Sequence, residues 1–343
     1  MYGATTYSSA YASTYLPRAQ PSLTLLRITL NYSIPLLFLC VPPPLAYARA
    51  PPAPHPREPG MNYRHAYHAG NFADVMKHAI LAMVVASLKR KDTPFFALDT
   101  HAGIGAYDLE APQADKTGEY LSGIARVLDA ADPPAELETY LALVRTWNSE
   151  GVLRRYPGSP ELMRGLMRPQ DRMALVELHP EDVETLRARF HGDRRVGVHH
   201  LDGYTAAKGL LPPPERRGLV LMDPPFEVKN EFERLLAALR RARKLWPTGI
   251  YLAWYPIKGR EPVDQFLQAI ADDGGPEALA AELLLRPAKD PFKLNGNGLL
   301  VINPPWQLRE SLDRVLPWLA AVMAPDSGSA AIRQLIGEKP AGT

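Results

Sequence analysis

The chain almost lacks cysteine: Cys40 is the one thiol in 343 residues. No intrachain disulfide can form, and no zinc site built on several thiolates is possible. A reducing compartment, and with it a cytoplasmic location, is the expectation. Long apolar runs are missing too. The nearest approach, Ile34 to Val41, contains Pro35, follows Asn31 and Ser33, and is too short to cross a bilayer. No membrane contact is expected. Charge of one sign is also scarce. The formal net charge is +2, and residues 1–60 hold four arginines against Glu58 alone, so residues 61–343 carry a net −1. Any polyanionic partner must therefore be met by local basic patches. Finally, His65, His68, His78 and His101 include no pair four apart with a helical glutamate between them, so no metal is expected.

Proline is unevenly spread. Eleven of 35 prolines fall in residues 1–60, among Ser, Thr, Tyr and Ala with almost no acid. The proline-rich Ala50–Gly60 part of it cannot build a core. Ala46-Tyr47-Ala48-Arg49-Ala50 resembles a signal-peptide cleavage site, but no compact basic region precedes the apolar run. The expectation is a disordered leader, non-native in origin, with Met61 the working first residue.

From Met61 onward the pattern is regular. Val75, His78, Ala79, Leu81, Ala82, Val85 and Leu88 recur at helical steps from Phe72 to Arg90. Phe95–Asp99 reads as a first strand and leads into Thr100-His101-Ala102-Gly103-Ile104-Gly105. A Gly-x-Gly turn after a strand lets backbone approach a ligand. The dinucleotide fingerprint wants a third glycine at 108, where Asp108 stands. Residues 107–168 read as helices without strands, a helical subdomain inserted after the first strand. Strands resume at Met173–Leu178, Arg195–His200, Gly218–Met222 and Gly249–Trp254, separated by helical stretches. Ala281–Leu285 and Gly298–Ile302 read as a closing antiparallel pair. Strands alternating with helices predict an α/β fold: a mostly parallel sheet with helices on both faces, of seven strands with that pair. The folded domain is expected to span 61–325, with 326–343 a loosely ordered tail.

Acids stand at or just after four strand ends: Asp99, Glu177, Asp202 and Asp223. One such acid is usually a turn or cap residue. Four in succession beside a Gly-x-Gly loop predict one crevice for a nucleoside-containing ligand. Asp223-Pro224-Pro225-Phe226 is the most distinctive cluster, since two prolines stop the strand and hold an acid and a ring at its carboxyl end. Asn303-Pro304-Pro305-Trp306 looks similar but follows the last strand, and is read as structural. Basic runs recur at Lys89-Arg90-Lys91, Arg154-Arg155, Arg194-Arg195, Arg216-Arg217, and Arg240-Arg241 with Arg243-Lys244. Sequence does not reveal whether they converge.

Asp-Pro-Pro-aromatic after the fourth strand, with Asp-x-x-x-Gly-x-Gly after the first, resembles class I S-adenosylmethionine-dependent amino-methyltransferases. Further blocks tighten the likeness: Tyr63-Arg64-His65, His68-Ala69-Gly70-Asn71, Ala73-Asp74-Val75, Lys77-His78, Tyr156-Pro157-Gly158-Ser159-Pro160, Glu177-Leu178-His179-Pro180 and Asp202-Gly203. Together with Asn303-Pro304-Pro305-Trp306 they resemble the RlmJ-type 23S ribosomal RNA adenine-N6 methyltransferases, over about Met61 to Leu319.

The resemblance implies a Rossmann-like class I fold, S-adenosyl-L-methionine as cofactor, and 23S rRNA as partner, with N6 of adenine 2030 as the methyl acceptor. A monomer is expected. The resemblance implies donor contacts from His78, His101, Ser159, Glu177, Asp202, Gly203 and Asp223. It gives Asp223 the catalytic acceptor role, with Pro224 and Phe226 beside it, and it gives Tyr63 a contact to the substrate adenosine. Phe226 departs from the tyrosine common at that place; the ring is kept and the hydroxyl lost. Three other readings are weighed against it: a DNA adenine-N6 methyltransferase, a nicotinamide-dependent oxidoreductase and a non-catalytic RNA-binding protein.

Overall fold

The computed structural model describes residues 65–337. The leader 1–60 and Tyr63 lie outside the described residues. After a 3-10 turn at His65–Tyr67 comes helix α1, Phe72–Lys89. Asn71 caps it, its side-chain oxygen accepting from the N–H of Ala73 at 2.9 Å and of Asp74 at 3.0 Å. These are donors that a helix start leaves open. Fourteen of the eighteen residues of α1 are buried. A helix so enclosed must find partners for each polar side chain it carries, and three of them are Asp74, Lys77 and His78.

In chain order there follow β1 Phe96–Asp99, β2 Ala106–Asp108, α2 Pro112–Thr117, α3 Glu119–Ser122, α4 Ile124–Asp129, α5 Glu138–Thr146, β3 Arg155–Pro157 and α6 Ser159–Leu166. Then come β4 Arg172–Glu177, α7 Pro180–Arg189, β5 Val196–His200, α8 Ala207–Leu210, β6 Gly218–Met222 and α9 Glu231–Leu245. The last are β7 Ile250–Ile257, α10 Arg260–Asp272, β8 Ala278–Leu284, β9 Gly296–Ile302, α11 Leu308–Met323 and β10 Ser329–Ile336. No helix among the described residues is long and apolar enough to cross a membrane.

The large sheet has the order β10-β8-β9-β7-β6-β1-β4-β5. Strand β1 pairs in parallel with β4 on one side and β6 on the other. The winding direction therefore reverses between β1 and β6, which makes the crevice above them the switch point. Both faces are covered. Ala97, Leu175, Leu219, Leu221 and Leu252 pack toward α1, α6 and α11, while Leu98, Val176, Val220, Met222 and Ala253 pack toward α9 and α10. Successive residues thus enter opposite cores, as the two-residue repeat of a strand requires.

Two expectations need correction. The sheet has eight strands rather than seven, because the segment read as a loose tail contains β10. It pairs antiparallel with β8 from Ser329↔Leu284 to Ile336↔Ala278. Its residues, Ser-Ala-Ala-Ile-Arg-Gln-Leu-Ile, show little apolar alternation because an edge strand is only half covered. Residues 107–168 are also not wholly helical. Strands β2 and β3 form a separate antiparallel pair, with Tyr107 opposite Tyr156. Strands of three residues are too short for a period of two to register.

Candidate active site

Strands β5, β4, β1, β6 and β7 all finish at one end of the sheet, its carboxyl pole. The opposite end, where they begin, is the amino pole. Asp223-Pro224-Pro225-Phe226 leaves β6 at the carboxyl pole. Phe226 has φ +52°, an uncommon value for a residue with a bulky side chain. Its ring is held edge-on by Phe232 at 4.8 Å and Trp254 at 5.8 Å between centroids. Backbone strain and an aromatic socket together fix where the ring points.

The Asp223 carboxylate is gripped through Oδ2 by the Lys77 ammonium. Lys77 is only 3% exposed and also reaches Asp74 Oδ1 at 2.8 Å. Burial opposes a charged lysine, but Asp223 and Asp74 outweigh it and raise the lysine's pKa. The amine therefore stays protonated. Burial likewise opposes a charged Asp74, and His65 and Lys77 overcome it, holding its carboxyl well below the usual range. Asp74 Oδ2 also accepts from the Gly70 N–H and lies 2.9 Å from His65 Nε2. One turn on, burial pushes His78 down to about 3, so its ring is neutral. His78 Nδ1 lies 2.7 Å from the Tyr156 hydroxyl, which in turn is 2.9 Å from that of Tyr140.

The Gly-x-Gly loop follows β1. Asp99 is fully buried, and burial pushes its carboxyl up to about 7. It accepts from Ser159 Oγ at 2.6 Å and from the His101 N–H at 3.2 Å. Gly103 and Gly105 adopt φ of +59° and +85°, the left-handed region that favours glycine. The Gly103 N–H donates to Glu177 Oε2 at 2.8 Å, and the Gly105 carbonyl accepts from the Gly158 N–H at 2.9 Å. The chain leaves this turn as strand β2. The helix that such a turn usually precedes is α6, displaced by some fifty residues, with Ser159 at its first position against Asp99.

Glu177 and Asp202 stand at the next two strand ends. Glu177 takes a second N–H, that of His179 at 2.7 Å, and burial raises its pKa. Asp202 accepts from the Tyr204 N–H at 2.8 Å and sits 3.7 Å from Arg234. Gly203 packs on β1's exit loop: a Cβ there would stand 2.1 Å from the Thr100 carbonyl oxygen. His101, pushed down to about 4 by burial, meets Tyr204 edge-on at 5.2 Å.

The carboxyl pole thus brings His101, Ser159, Glu177, Asp202, Gly203, Asp223, Pro224 and Phe226 around one crevice. His78 is enclosed behind it against Tyr156. Sequence reasoning gave no role to Lys77 or Asp74, nor to the group of Tyr204, Glu231 and Arg234. In that group the Tyr204 hydroxyl donates to buried Glu231, and the Arg234 guanidinium lies 4.3 Å over the tyrosine ring. The signal for Lys77 was present: three polar residues, Asp74, Lys77 and His78, in one apolar helix.

Carboxylates outnumber cations here, with Asp74, Asp99, Glu177, Asp202, Asp223 and Glu231 against Lys77 and Arg234. A sulfonium cation suits such a crevice. A pyrophosphate does not, and no helix follows the Gly-x-Gly turn directly to receive one. Glu177 can accept from hydroxyl groups and Asp202 from an amino group, while Ser159 and His101 flank the loop between them. The nicotinamide reading fails on the same observations.

Fold and crevice define a Rossmann-like, class I S-adenosylmethionine-dependent methyltransferase. The family model described as "Ribosomal RNA large subunit methyltransferase D, RlmJ" matches residues 92–336, and the chain belongs to that family. It is similar to the Ribosomal RNA large subunit methyltransferase J of Escherichia coli (strain K12), 43% identical over 279 residues, which cover 81% of this chain and 100% of that protein. The Haemophilus influenzae protein of the same name is 40% identical over 267 residues, covering 78% and 95%. A crystal structure of a Legionella pneumophila protein (strain Philadelphia 1) superposes with a TM-score of 0.73 at 37% identity, covering 78% of this chain and 98% of that one.

Proposed function

We propose that this methyltransferase modifies N6 of an adenine in 23S ribosomal RNA, adenine 2030 by family resemblance. The observation that carries the reading is Asp223 at the end of β6, beside the β1 loop, with one oxygen taken by Lys77. Oδ1 has no hydrogen-bond partner among the described residues. It can accept from the amino group of a base, as can the Pro224 carbonyl.

S-adenosylmethionine supplies an electrophilic methyl carbon, so the protein's task lies with the nucleophile. The N6 lone pair is delocalised into the purine ring. Two acceptors on the amino hydrogens turn N6 toward the donor and favour the positive charge that develops on nitrogen. Lys77 fixes the acceptor carboxylate, so little reorganisation is left for the reacting step. Phe226, strained and socketed, offers a ring on which an everted base can stack, a contact worth about 1–3 kcal/mol. His78, His101, Ser159, Glu177, Asp202 and Gly203 are assigned to the donor. Tyr63, from the segment preceding α1, is assigned to the substrate adenosine.

The test is methylation of protein-free 23S RNA and of duplex DNA by the purified protein, followed by nucleoside mass spectrometry. N6-methyladenosine from RNA and little from DNA is the expected result; preferential DNA methylation would establish the alternative reading. Asp223→Ala should lower the rate about 10²- to 10⁴-fold. Retained activity would remove Asp223 from the role given to it.

A further inference from the structure

Of the five basic runs that the sequence scatters from Lys89 to Lys244, Arg154-Arg155 sits at β3 and the other four converge, away from the crevice. Those four lie in, or lead into, connections that enter strands: before β1, β5, β6 and β7. Because those strands run parallel within one sheet, their entries meet at the amino pole. Arginines lace the connections together. Arg168 donates to the Lys91 carbonyl at 2.9 Å, Arg217 to that of Thr93 at 2.6 Å, and Arg195 to that of Met167 at 3.2 Å. Arg172 and Glu215 pair at 2.8 Å between the entries to β4 and β6.

Outside this laced layer lies a free one. Arg90, Lys91, Arg194, Arg216, Arg241 and Lys244 are exposed, and their side chains have no hydrogen-bond or ion-pair partner among the described residues. Helix dipoles explain cations in a last turn, such as Lys244. They do not explain Arg194 and Arg216, which stand several residues past the ends of α7 and α8.

The second observation is aromatic. Strand β9 runs antiparallel to β7, so Asn303-Pro304-Pro305-Trp306 also emerges at the amino pole. Asn303 ties it there, donating to the Pro247 carbonyl at 3.0 Å and the Gly249 carbonyl at 2.7 Å. Trp306 is 75% exposed, and its segment leaves β9 at the same pole as these cations. Unpaired cations next to a solvent-facing indole are the elements with which proteins hold nucleic-acid backbone and stack bases.

We infer that the amino pole is a second RNA-binding surface, holding the phosphates of a large-subunit RNA segment remote from the target adenine, with Trp306 stacked on an unpaired base. The inference rests on the reading that ribosomal RNA is the substrate. The poles lie about 20 Å apart, the length of a strand of six residues. RNA that touches both must wrap the domain, and a short hairpin carrying only the target adenine touches one.

The test compares wild type, the combined variant Arg194→Gln, Arg216→Gln, Arg241→Gln and Lys244→Gln, and Trp306→Ala. Filter binding and steady-state methylation are measured on 23S transcript and on the short hairpin. For the combined variant on 23S RNA, Kd and KM should rise at least about ten-fold and the log Kd against log salt slope should flatten by roughly 3. Its kcat, and its KM for the hairpin, should stay at wild-type values. Trp306→Ala should weaken 23S binding roughly ten-fold without altering the slope. Unchanged Kd and slope on 23S RNA would overturn the inference, and so would an equal loss on the hairpin. Filter binding needs no methyl transfer, so a wild-type protein that binds 23S RNA but fails to methylate it counts against the functional reading alone.

Discussion

The two poles of one sheet use charge in opposite ways. At the carboxyl pole the charged groups are mostly carboxylates, few, buried and fixed. Glu177 holds two backbone N–H groups, Asp99 a hydroxyl and an N–H, and Asp223 a buried ammonium. At the amino pole they are mostly guanidinium and ammonium groups, and the outer ones are exposed and unpaired. The difference follows from what each ligand demands. Positioning a reacting atom needs groups that cannot move, so their desolvation must be offset by fixed partners. Attracting a polyanion needs only density of positive charge, which is effective from solvent-exposed side chains. The crevice, rich in acids, repels phosphate on its own.

The sharpest way to break this contrast is to remove the one cation that the carboxyl pole buries. Lys77→Met leaves Asp74 enclosed with His65 and the Gly70 N–H as its nearest remaining partners, and Asp223 without its clamp. Breaking a buried pair in this way costs about 3–5 kcal/mol. Chemical denaturation of wild type and variant measures it. A loss below about 1 kcal/mol would mean that the carboxyl pole is no more rigidly paired than a surface. A double variant, Lys77→Met with Asp74→Asn, should recover much of the lost stability while leaving methylation low, because Asp223 remains unclamped.

Lys77 also marks where the sequence stopped being legible. Strands β1, β4, β6 and β7 of the parallel sheet were readable because each is an apolar run largely buried on both faces and bounded by turn residues; β5, a half-buried edge, was readable from its place in the alternation with helices. Their carboxyl ends carried the acids, and the order of the motifs placed Asp99, Glu177, Asp202 and Asp223 together. Strand β10 escaped because an edge strand has only one covered face and a weak pattern. Strands β2 and β3 escaped because three residues carry no period. The Lys77–Asp223 pair spans 146 positions, and nothing local announces it. The basic runs were visible one by one, and their convergence depends on which strands lie side by side. Asn303–Trp306 was rightly separated from the crevice. Its exposed indole became evident only once the antiparallel course of β9 was known.

A second prediction uses pH to probe the buried acids. Burial lifts Asp99 from an ordinary 3.8 to about 7, so the folded state keeps its proton longer than the unfolded chain does. That contribution to stability is complete below pH 4 and is lost as pH rises from about 4 to 7. His101 and His78, depressed to about 4 and 3, act the other way and remove stability as pH falls below 6.5. Comparing Asp99→Asn with wild type cancels the histidines. The stability difference should move in the variant's favour by roughly 2–4 kcal/mol between pH 4 and 8. Parallel pH profiles would show that Asp99 ionises as freely in the fold as outside it.

The smallest expected effect sharpens the comparison most, because it makes the same chemical change at each pole and expects opposite signs. At the amino pole Asp273 pairs with Arg240 at 2.7 Å and approaches Arg243 at 3.9 Å, and Arg240 is half exposed. Asp273→Asn should alter folding stability by less than about 1 kcal/mol, as exposed ion pairs do. It removes the carboxylate that offsets the Arg240 and Arg243 charges, so 23S RNA should bind about two- to three-fold more tightly, with a steeper salt dependence. At the carboxyl pole Glu177→Gln removes the charge proposed for the donor ribose, and S-adenosylmethionine affinity should fall while RNA binding stays level. Equilibrium binding of both ligands to both variants gives four numbers. If Asp273→Asn leaves RNA affinity and its salt slope untouched, Arg240 and Arg243 belong to the fold alone, and the RNA surface ends before the entry to β7.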